Sequence, residues 1–212
     1  MTVKQVLLSK MDVFCYIIGD DDTGKCALID PAFDTETILD EVDGFGFRVA
    51  AVINTHGHSD HSAGNSAIIE ATGAKLYIHQ ADAKKLSGLA GSAFSRLLGG
   101  KRSPEANVFL EDGDTIPIGN TALNVIHTPG HTPGGICIHI PGHVFTGDTL
   151  FVGAVGRTDL PGGSMKQLLD SIHRKLYTLP GNTRVWPGHD YGEFPYSTIE
   201  TEKKTNPFTL GD

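Results

Sequence analysis

The run from position 56 to position 61 constrains the fold of this chain more than any other feature of its sequence. It carries three imidazoles and one carboxylate within six positions, His-Gly-His-Ser-Asp-His, shortly after the apolar residues 50–53. No regular helix or strand places all four side chains on one face, because their spacing fits neither period. A tight loop can bring them together, and imidazole with carboxylate suits zinc or iron(II) rather than calcium or magnesium.

Three later segments each place one metal-competent side chain beside glycine in a turn that borders an apolar, strand-like stretch. They contribute His131, Asp148 and His189. Each segment alone is typical of an ordinary turn, although glycine lets a backbone approach an ion closely. Together with the first loop, they predict a metal site formed by loops at the ends of strands.

The order of the predicted elements indicates an α/β fold. Strands are expected within residues 3–30 and at 49–53, with a helix at 34–42 that Asp34 caps. A second group of strands lies within residues 122–146, followed by an amphipathic helix at 165–176. Strands with a helix, repeated once, predict two facing sheets with helices on the outer faces. The length of 212 residues suits a single domain over residues 1–212.

Charge and composition exclude several classes of function. The net charge is -8 and no long basic run occurs, so we expect no nucleic-acid partner. No apolar stretch reaches the length of a membrane span and no signal sequence is evident, so we expect no membrane association and a cytoplasmic location. Cys15, Cys26 and Cys137 form no CxxC motif and are expected to be buried free thiols.

The chain resembles the metallo-β-lactamase superfamily, and within it the short glyoxalase II-like (hydroxyacylglutathione hydrolase-like) hydrolases. The segments that carry this resemblance are residues 27–31, 56–61, 147–151, 156–159, 197–199 and 206–208. The resemblance implies an αββα sandwich of two facing mixed β-sheets with helices on the outer faces, and two divalent metal ions. Zinc is the expected metal, with iron or manganese as alternatives.

The resemblance also implies a role for each ligand. His56, His58 and His131 would hold the first ion, and Asp60, His61 and His189 the second, with Asp148 bridging the two. Asp60 would in addition orient a catalytic hydroxide. Asp30 would orient the ligands by hydrogen bonds, although a turn residue before proline is an equally good interpretation. Arg157 would bind a substrate carboxylate, with an ion pair to Asp159 as the alternative.

The activity implied by this branch is hydrolysis of a small-molecule thioester, such as S-lactoylglutathione or a related hydroxyacyl thiol. A metal-bridging hydroxide would attack the carbonyl carbon. A thiolate, with a pKa of about 8.5, departs without a strong general acid. About twenty residues follow His189, so we expect no counterpart of the C-terminal extension that helps glyoxalase II bind glutathione.

Other branches of the superfamily remain as alternatives. Residues 156–159 and 187–191 also resemble persulfide dioxygenases, which use one iron(II) held by the equivalents of His56, His131 and Asp148. Residues 160–163 depart from the usual dioxygenase pattern. A lactonase and a non-enzymatic metal-binding module are further alternatives. The sequence leaves the oligomeric state open.

Overall fold

The first part of the chain forms a mixed sheet whose strands lie in sequence order. The computed structural model describes residues 1–88 and 100–210. The strands of this sheet are β1 (Thr2–Leu7), β2 (Phe14–Asp20), β3 (Lys25–Ile29), β4 (Arg48–Ile53), β5 (Lys75–His79) and β6 (Val108–Leu110). The pairs among β1, β2 and β3 are antiparallel, whereas β3 to β6 run parallel. Parallel neighbours need crossover connections, and helices supply them after β3 and β4.

A second sheet is formed by strands from the rest of the chain. They are β7 (Thr115–Ile118), β8 (Thr121–His127), β9 (Ile136–Ile140) and β10 (His143–Gly147), with β13 (Arg184–Pro187) and β14 (Ser197–Thr198) further along the chain. Their spatial order is β14-β13-β10-β9-β8-β7, and β13 is parallel to β10 while the other pairs are antiparallel. A small ribbon pairs β11 (Leu150–Phe151) with β12 (Ala154–Val155).

The helices connect the strands of both sheets. Those described are α1 (Thr35–Gly44), α2 (Ser59–Ser62), α3 (Asn65–Thr72), α4 (Ala83–Ser87), α5 (Met165–Arg174) and α6 (Ile199–Thr205), with a 3-10 turn at Leu176–Thr178. Ser164 caps α5 by accepting a hydrogen bond from the backbone N–H of Gln167. Helix α5 is amphipathic, and its buried residues include Leu168 and Ile172.

Alternation along the strands divides the apolar side chains between a central layer and two outer layers. In β2, Tyr16 and Ile18 pack between the two sheets, whereas Cys15 and Ile17 pack on the outer face. The central layer also holds Phe145 from the second sheet. The outer layers bury one face of α1 and α3 on the first sheet and of α5 on the second. The predicted αββα sandwich is therefore confirmed.

Two local predictions differ from the structure. Asp34 does not cap α1: it has a left-handed φ of 50°, and its carboxylate accepts hydrogen bonds from the Ser9 backbone N–H and hydroxyl instead. The helix predicted at 165–176 ends at Arg174, because the chain tightens there into the 3-10 turn. The glycine- and proline-containing sequence of residues 87–106 favours a partly helical insertion, but residues 89–99 of this stretch lie outside the described residues.

Two further observations concern composition. Cys15, Cys26 and Cys137 are buried and free, as predicted. Among residues 1–88 and 100–210, no helix combines the length and the apolar character that a membrane crossing requires.

Candidate metal centre

The metal-competent side chains lie in loops that meet at one edge of the sandwich. The loop after β4 carries the histidines of the 56–61 run, and the loops after β8, β10 and β13 carry His131, Asp148 and His189. Backbone hydrogen bonds join these loops: Ile136 N–H donates to Thr55 O over 2.8 Å, and Gly188 N–H to Gly147 O over 2.9 Å. The edge therefore gathers side chains that are far apart in the sequence.

The first group of donors consists of His56, His58 and His131. One donor atom from each lies within 4.8 Å of the others. The His131 Nε2 atom is 3.0 Å from His58 Nδ1, and the ring of His56 is nearly perpendicular to both other rings. Three imidazoles thus converge on one point.

The second group consists of Asp60, His61 and His189, whose donor atoms also lie within 4.8 Å of one another. His61 Nε2 and His189 Nε2 are 3.1 Å apart. An Asp60 carboxylate oxygen is 3.8 Å from His189 Nε2. The short helix α2 turns Asp60 and His61 toward the same point.

Asp148 lies between the two groups. Its carboxylate oxygens are 3.4 Å from His131 Nε2 and 3.3 Å from His61 Nε2. The sharp turn at Gly147, with φ 47°, aims the carboxylate inward, and a Cβ at Gly188 would come within 2.5 Å of Asp148 Oδ1. Glycine at both positions therefore lets Asp148 approach both groups.

Hydrogen bonds to the far side of the rings hold the imidazoles in place. The His131 ring N–H donates to the Arg157 carbonyl over 2.7 Å, and that of His189 to the Met11 carbonyl over 2.8 Å. Each bond uses Nδ1 and leaves Nε2 with a free lone pair directed toward the group. In this way the backbone sets the tautomer that a metal ligand needs.

Asp30 orients the loop after β4. This buried carboxylate accepts hydrogen bonds from the Thr55 backbone N–H at 2.8 Å and the Thr55 hydroxyl at 2.6 Å. It also lies 3.0 Å from His61 Nδ1. It therefore contacts the ring of His61 and the residue that precedes His56.

Asp82 is a second buried carboxylate that the sequence did not single out. It accepts the Gly57 backbone N–H over 2.9 Å and the Gly134 backbone N–H over 3.0 Å. Gly57 lies between His56 and His58, and Gly134 belongs to the loop that carries His131. Asp82 therefore ties together the two loops that supply the first group of donors. A signal did exist, because Asp82 closely follows β5, a strand-end position like that of Asp148.

The ionisation of His56, His58 and Asp148 favours metal binding. Burial lowers the pKa of His56 well below its usual value and that of His58 to about 4, so both rings are neutral near pH 7. Burial raises the pKa of the Asp148 carboxyl, but the charge on the neighbouring His61 outweighs this effect, and the pKa lies well below its usual value. Neutral imidazole and ionised carboxylate are the forms that ligate metals.

Two atoms of the cluster indicate directly that the residues fit a metal ion. His56 Nε2 and Asp148 Oδ1 are buried, and neither has a hydrogen-bond partner among the described residues. A buried polar atom without a partner is rare and costly. A divalent metal ion coordinated by these atoms would remove that cost.

A cavity of about 780 Å³ opens in front of the cluster. Apolar side chains, including Phe151, Val155 and Leu160, form part of its wall, and Tyr191 stacks on the His189 ring at 4.5 Å. Arg157 also lines the cavity, but its guanidinium forms two hydrogen bonds with Asp159, at 2.7 and 2.8 Å. The alternative interpretation of Arg157, an ion pair with Asp159, therefore describes its side chain in this structure.

Known proteins resemble this chain along nearly its whole length. Human mitochondrial persulfide dioxygenase ETHE1 is 36% identical over 197 residues, which cover 92% of this chain and 70% of that protein. The crystal structure of ETHE1 from Myxococcus xanthus superposes with a TM-score of 0.82 at 34% identity, covering 98% of this chain and 84% of the other.

Two further crystal structures match as well. The B3 metallo-β-lactamase BLEG-1 has a TM-score of 0.89 at 32% identity, covering 99% of this chain and all of that chain, 100%. TTHA1623, solved in a di-iron-bound form, has a TM-score of 0.85 at 34% identity and covers 97% of this chain and 100% of that one.

These relatives correct the predicted activity. The expectation of a glyoxalase II-like thioester hydrolase was wrong, since three mammalian relatives that are 32–36% identical over 92–97% of this chain are persulfide dioxygenases. The physical reason is that the same His and Asp donors serve several reactions, so the ligand pattern on which the prediction rested does not separate the branches.

The superfamily to which these branches belong is established by a family profile that matches most of the chain. The family profile described as the metallo-β-lactamase superfamily matches residues 9–189, a span that includes every donor of both groups. The chain belongs to the metallo-β-lactamase superfamily.

Proposed function

We propose that this protein is a persulfide dioxygenase that uses iron(II) held by His56, His131 and Asp148. The observation that carries the proposal is the similarity to persulfide dioxygenases at 36% identity over 92% of this chain. The substrate would be a small persulfide, R–S–SH, together with O₂.

The donor set suits this chemistry. Two imidazoles and one carboxylate with open positions are typical of non-haem iron(II) oxygenases. His131 Nε2 lies 3.4 Å from an Asp148 oxygen, and His56 Nε2 and Asp148 Oδ1 have no other partner among the described residues. Iron(II) bound there would supply the reactivity toward O₂ that no protein side chain has.

The other residues would control how the substrate reaches this set. The carbonyl of Arg157 fixes the His131 ring through the 2.7 Å hydrogen bond, and Asp30 fixes the loop that begins with His56. The apolar wall of the cavity would exclude bulk water from the reacting sulfur. The protein would thereby position the persulfide beside the iron site.

The reaction balances as a dioxygenation of the outer sulfur. Both oxygen atoms of O₂ join that sulfur to give R–S–SO₂H, and water then cleaves the S–S bond. The sum is R–S–SH + O₂ + H₂O → R–SH + SO₃²⁻ + 2 H⁺. The outer sulfur is oxidised and O₂ is reduced, so no further reductant is required.

The expected two zinc ions are replaced in this proposal by one catalytic iron. Asp60, His61 and His189 form a complete second donor group that can take a further ion. The di-iron-bound form of TTHA1623 supports iron as an occupant of a related site. We expect Asp60→Ala to lose any second ion while it keeps the catalytic iron.

The test is oxygen uptake by protein purified without oxygen and loaded with iron(II). With glutathione persulfide, we expect one O₂ consumed per sulfite released. His56→Ala should lose iron and oxygen uptake together. The control His139→Ala, at the one partly exposed position of β9, should keep both.

Two outcomes would contradict the proposal. One is iron-loaded protein that consumes no oxygen with any persulfide. The other is zinc-loaded protein that opens a β-lactam rapidly, an activity named for the BLEG-1 relative. Either result would assign the chain to a different branch of the superfamily.

A further inference from the structure

The cavity in front of the metal centre carries an excess of positive charge on its wall. Lys84, Lys85 and Arg157 line it, and the acidic residues that line it, Asp60 and Asp148, belong to the metal centre itself. The chain as a whole has a net charge of -8, so the cations at this opening are opposite in sign to the overall charge of the protein.

The three cations differ in whether their charge is already compensated. The Arg157 guanidinium donates two hydrogen bonds to the Asp159 carboxylate. Lys85 Nζ lies 3.4 Å from the Pro161 carbonyl, which is neutral. Lys84 is exposed and, within residues 1–88 and 100–210, no acidic side chain lies within ion-pair distance of either lysine. The two lysines therefore carry the uncompensated charge.

The position of the lysines is fixed relative to the metal centre. Both belong to α4, which packs directly on the loop between His56 and His58. A Cβ at Gly57 would lie only 2.8 Å from the Lys85 Cβ. Asp82, at the start of α4, holds the Gly57 backbone N–H over 2.9 Å. The charged wall and the first group of donors are thus parts of one packed unit.

We propose that Lys84 and Lys85 form an anion subsite that binds a carboxylate of the persulfide's thiol carrier. The inference rests on the proposed function and narrows its substrate to persulfides of carboxylate-bearing thiols. The subsite would hold the acidic end at α4 while the persulfide end points to His56, His131 and Asp148. Each ion pair between an exposed lysine and a carboxylate is weak, so the two lysines together should strengthen binding of the carboxylate about tenfold.

The first experiment measures binding without turnover. Iron-free protein is titrated calorimetrically with glutathione, an unreactive thiol carboxylate, and with its dimethyl ester. We expect the ester to bind about tenfold more weakly. The double variant Lys84→Ala/Lys85→Ala should bind both compounds as weakly as the wild type binds the ester.

Matched variants separate charge from structure. Lys84→Arg/Lys85→Arg should restore the preference for the free acid, because it keeps both charges. Lys203→Ala, an exposed lysine on α6 beside a different groove, should leave binding unchanged. Equal binding of acid and ester by the wild type, or undiminished binding by the double alanine variant, would overturn the proposal.

A second experiment distinguishes this inference from the proposed function. In the iron-loaded enzyme, the double alanine variant should raise KM for glutathione persulfide about tenfold and leave kcat unchanged. High salt should raise the wild-type KM toward the same value, since exposed charges are screened. Oxygen uptake with unaltered KM would refute the subsite alone. Carboxylate-dependent binding without oxygen uptake would refute the dioxygenase and leave the subsite standing.

Discussion

Replacement of Asp82 by alanine tests whether one buried carboxylate holds the two metal loops together. The side chain accepts hydrogen bonds of 2.9 and 3.0 Å from two backbone N–H groups, one in each loop. A hydrogen bond to a charged acceptor contributes about 1.5–3 kcal/mol, and removal leaves both buried donors without a partner. We therefore expect Asp82→Ala to lower the free energy of unfolding by about 3–5 kcal/mol.

Urea and thermal unfolding of the metal-free protein measure this loss. For a chain of this size, each kcal/mol corresponds to roughly 2–4 °C, so Tm should fall by about 6–20 °C. Asp82→Asn keeps one acceptor and should lose about half as much. Asp43→Ala, an exposed carboxylate on α1, serves as the control and should change stability by less than about 0.5 kcal/mol.

Metal affinity is a second measurement, and it separates the loss of these two hydrogen bonds from a general loss of stability. The loops that Asp82 joins carry His58 and His131, so their separation should weaken iron binding about 10–100-fold at temperatures where the variant is fully folded. An Asp82→Ala protein with wild-type stability and wild-type metal affinity would refute the reasoning, since the two hydrogen bonds would then contribute nothing.

Two further substitutions test local features of the fold. Hydrogen bonds, above all the one from the Thr23 hydroxyl, lower the pKa of Asp20 to about 2. The contribution of Asp20 to stability is therefore present above about pH 4 and lost as the pH falls toward 2. Unfolding experiments as a function of pH should show a smaller loss of stability in acid for Asp20→Asn than for the wild type. Gly57→Ala would place a Cβ 2.8 Å from the side chain of Lys85 and should therefore weaken metal binding and lower Tm. In the control Gly44→Ala, the new Cβ would have no atom within 4 Å, so metal affinity and Tm should not change.

The architecture was largely predictable from the sequence because its strands are apolar and bounded by turns. β2 and β9, for example, are almost entirely buried, and their mainly apolar residues are typical of buried strands. The local error at Asp34 has a tertiary cause. The carboxylate finds partners on Ser9, 25 residues earlier in the chain, and local capping rules contain no information about such a contact.

The clustering of the seven metal-competent residues was also visible in the sequence, since glycine-flanked His and Asp residues border apolar segments. Asp82 was visible only as an aspartate that follows a strand, because its role depends on two backbone N–H groups contributed by loops 25 and 52 residues away. A lone aspartate after a strand gives no indication of which distant amides it will meet. Such supports become apparent only when the loops are packed together.

The reaction was the part that the sequence did not determine, and the geometry explains why. Asp148 lies within 3.5 Å of ring nitrogens from both donor groups, so the cluster can serve one metal ion or two. Zinc is redox-inactive and would favour hydrolysis, whereas iron(II) permits oxygen chemistry. Zinc generally binds more tightly than iron(II) to a site of nitrogen and oxygen donors, so the ligands alone do not select iron. Selection between reactions must therefore come from metal supply and from the cavity wall, where Lys84 and Lys85 lie beside the donors.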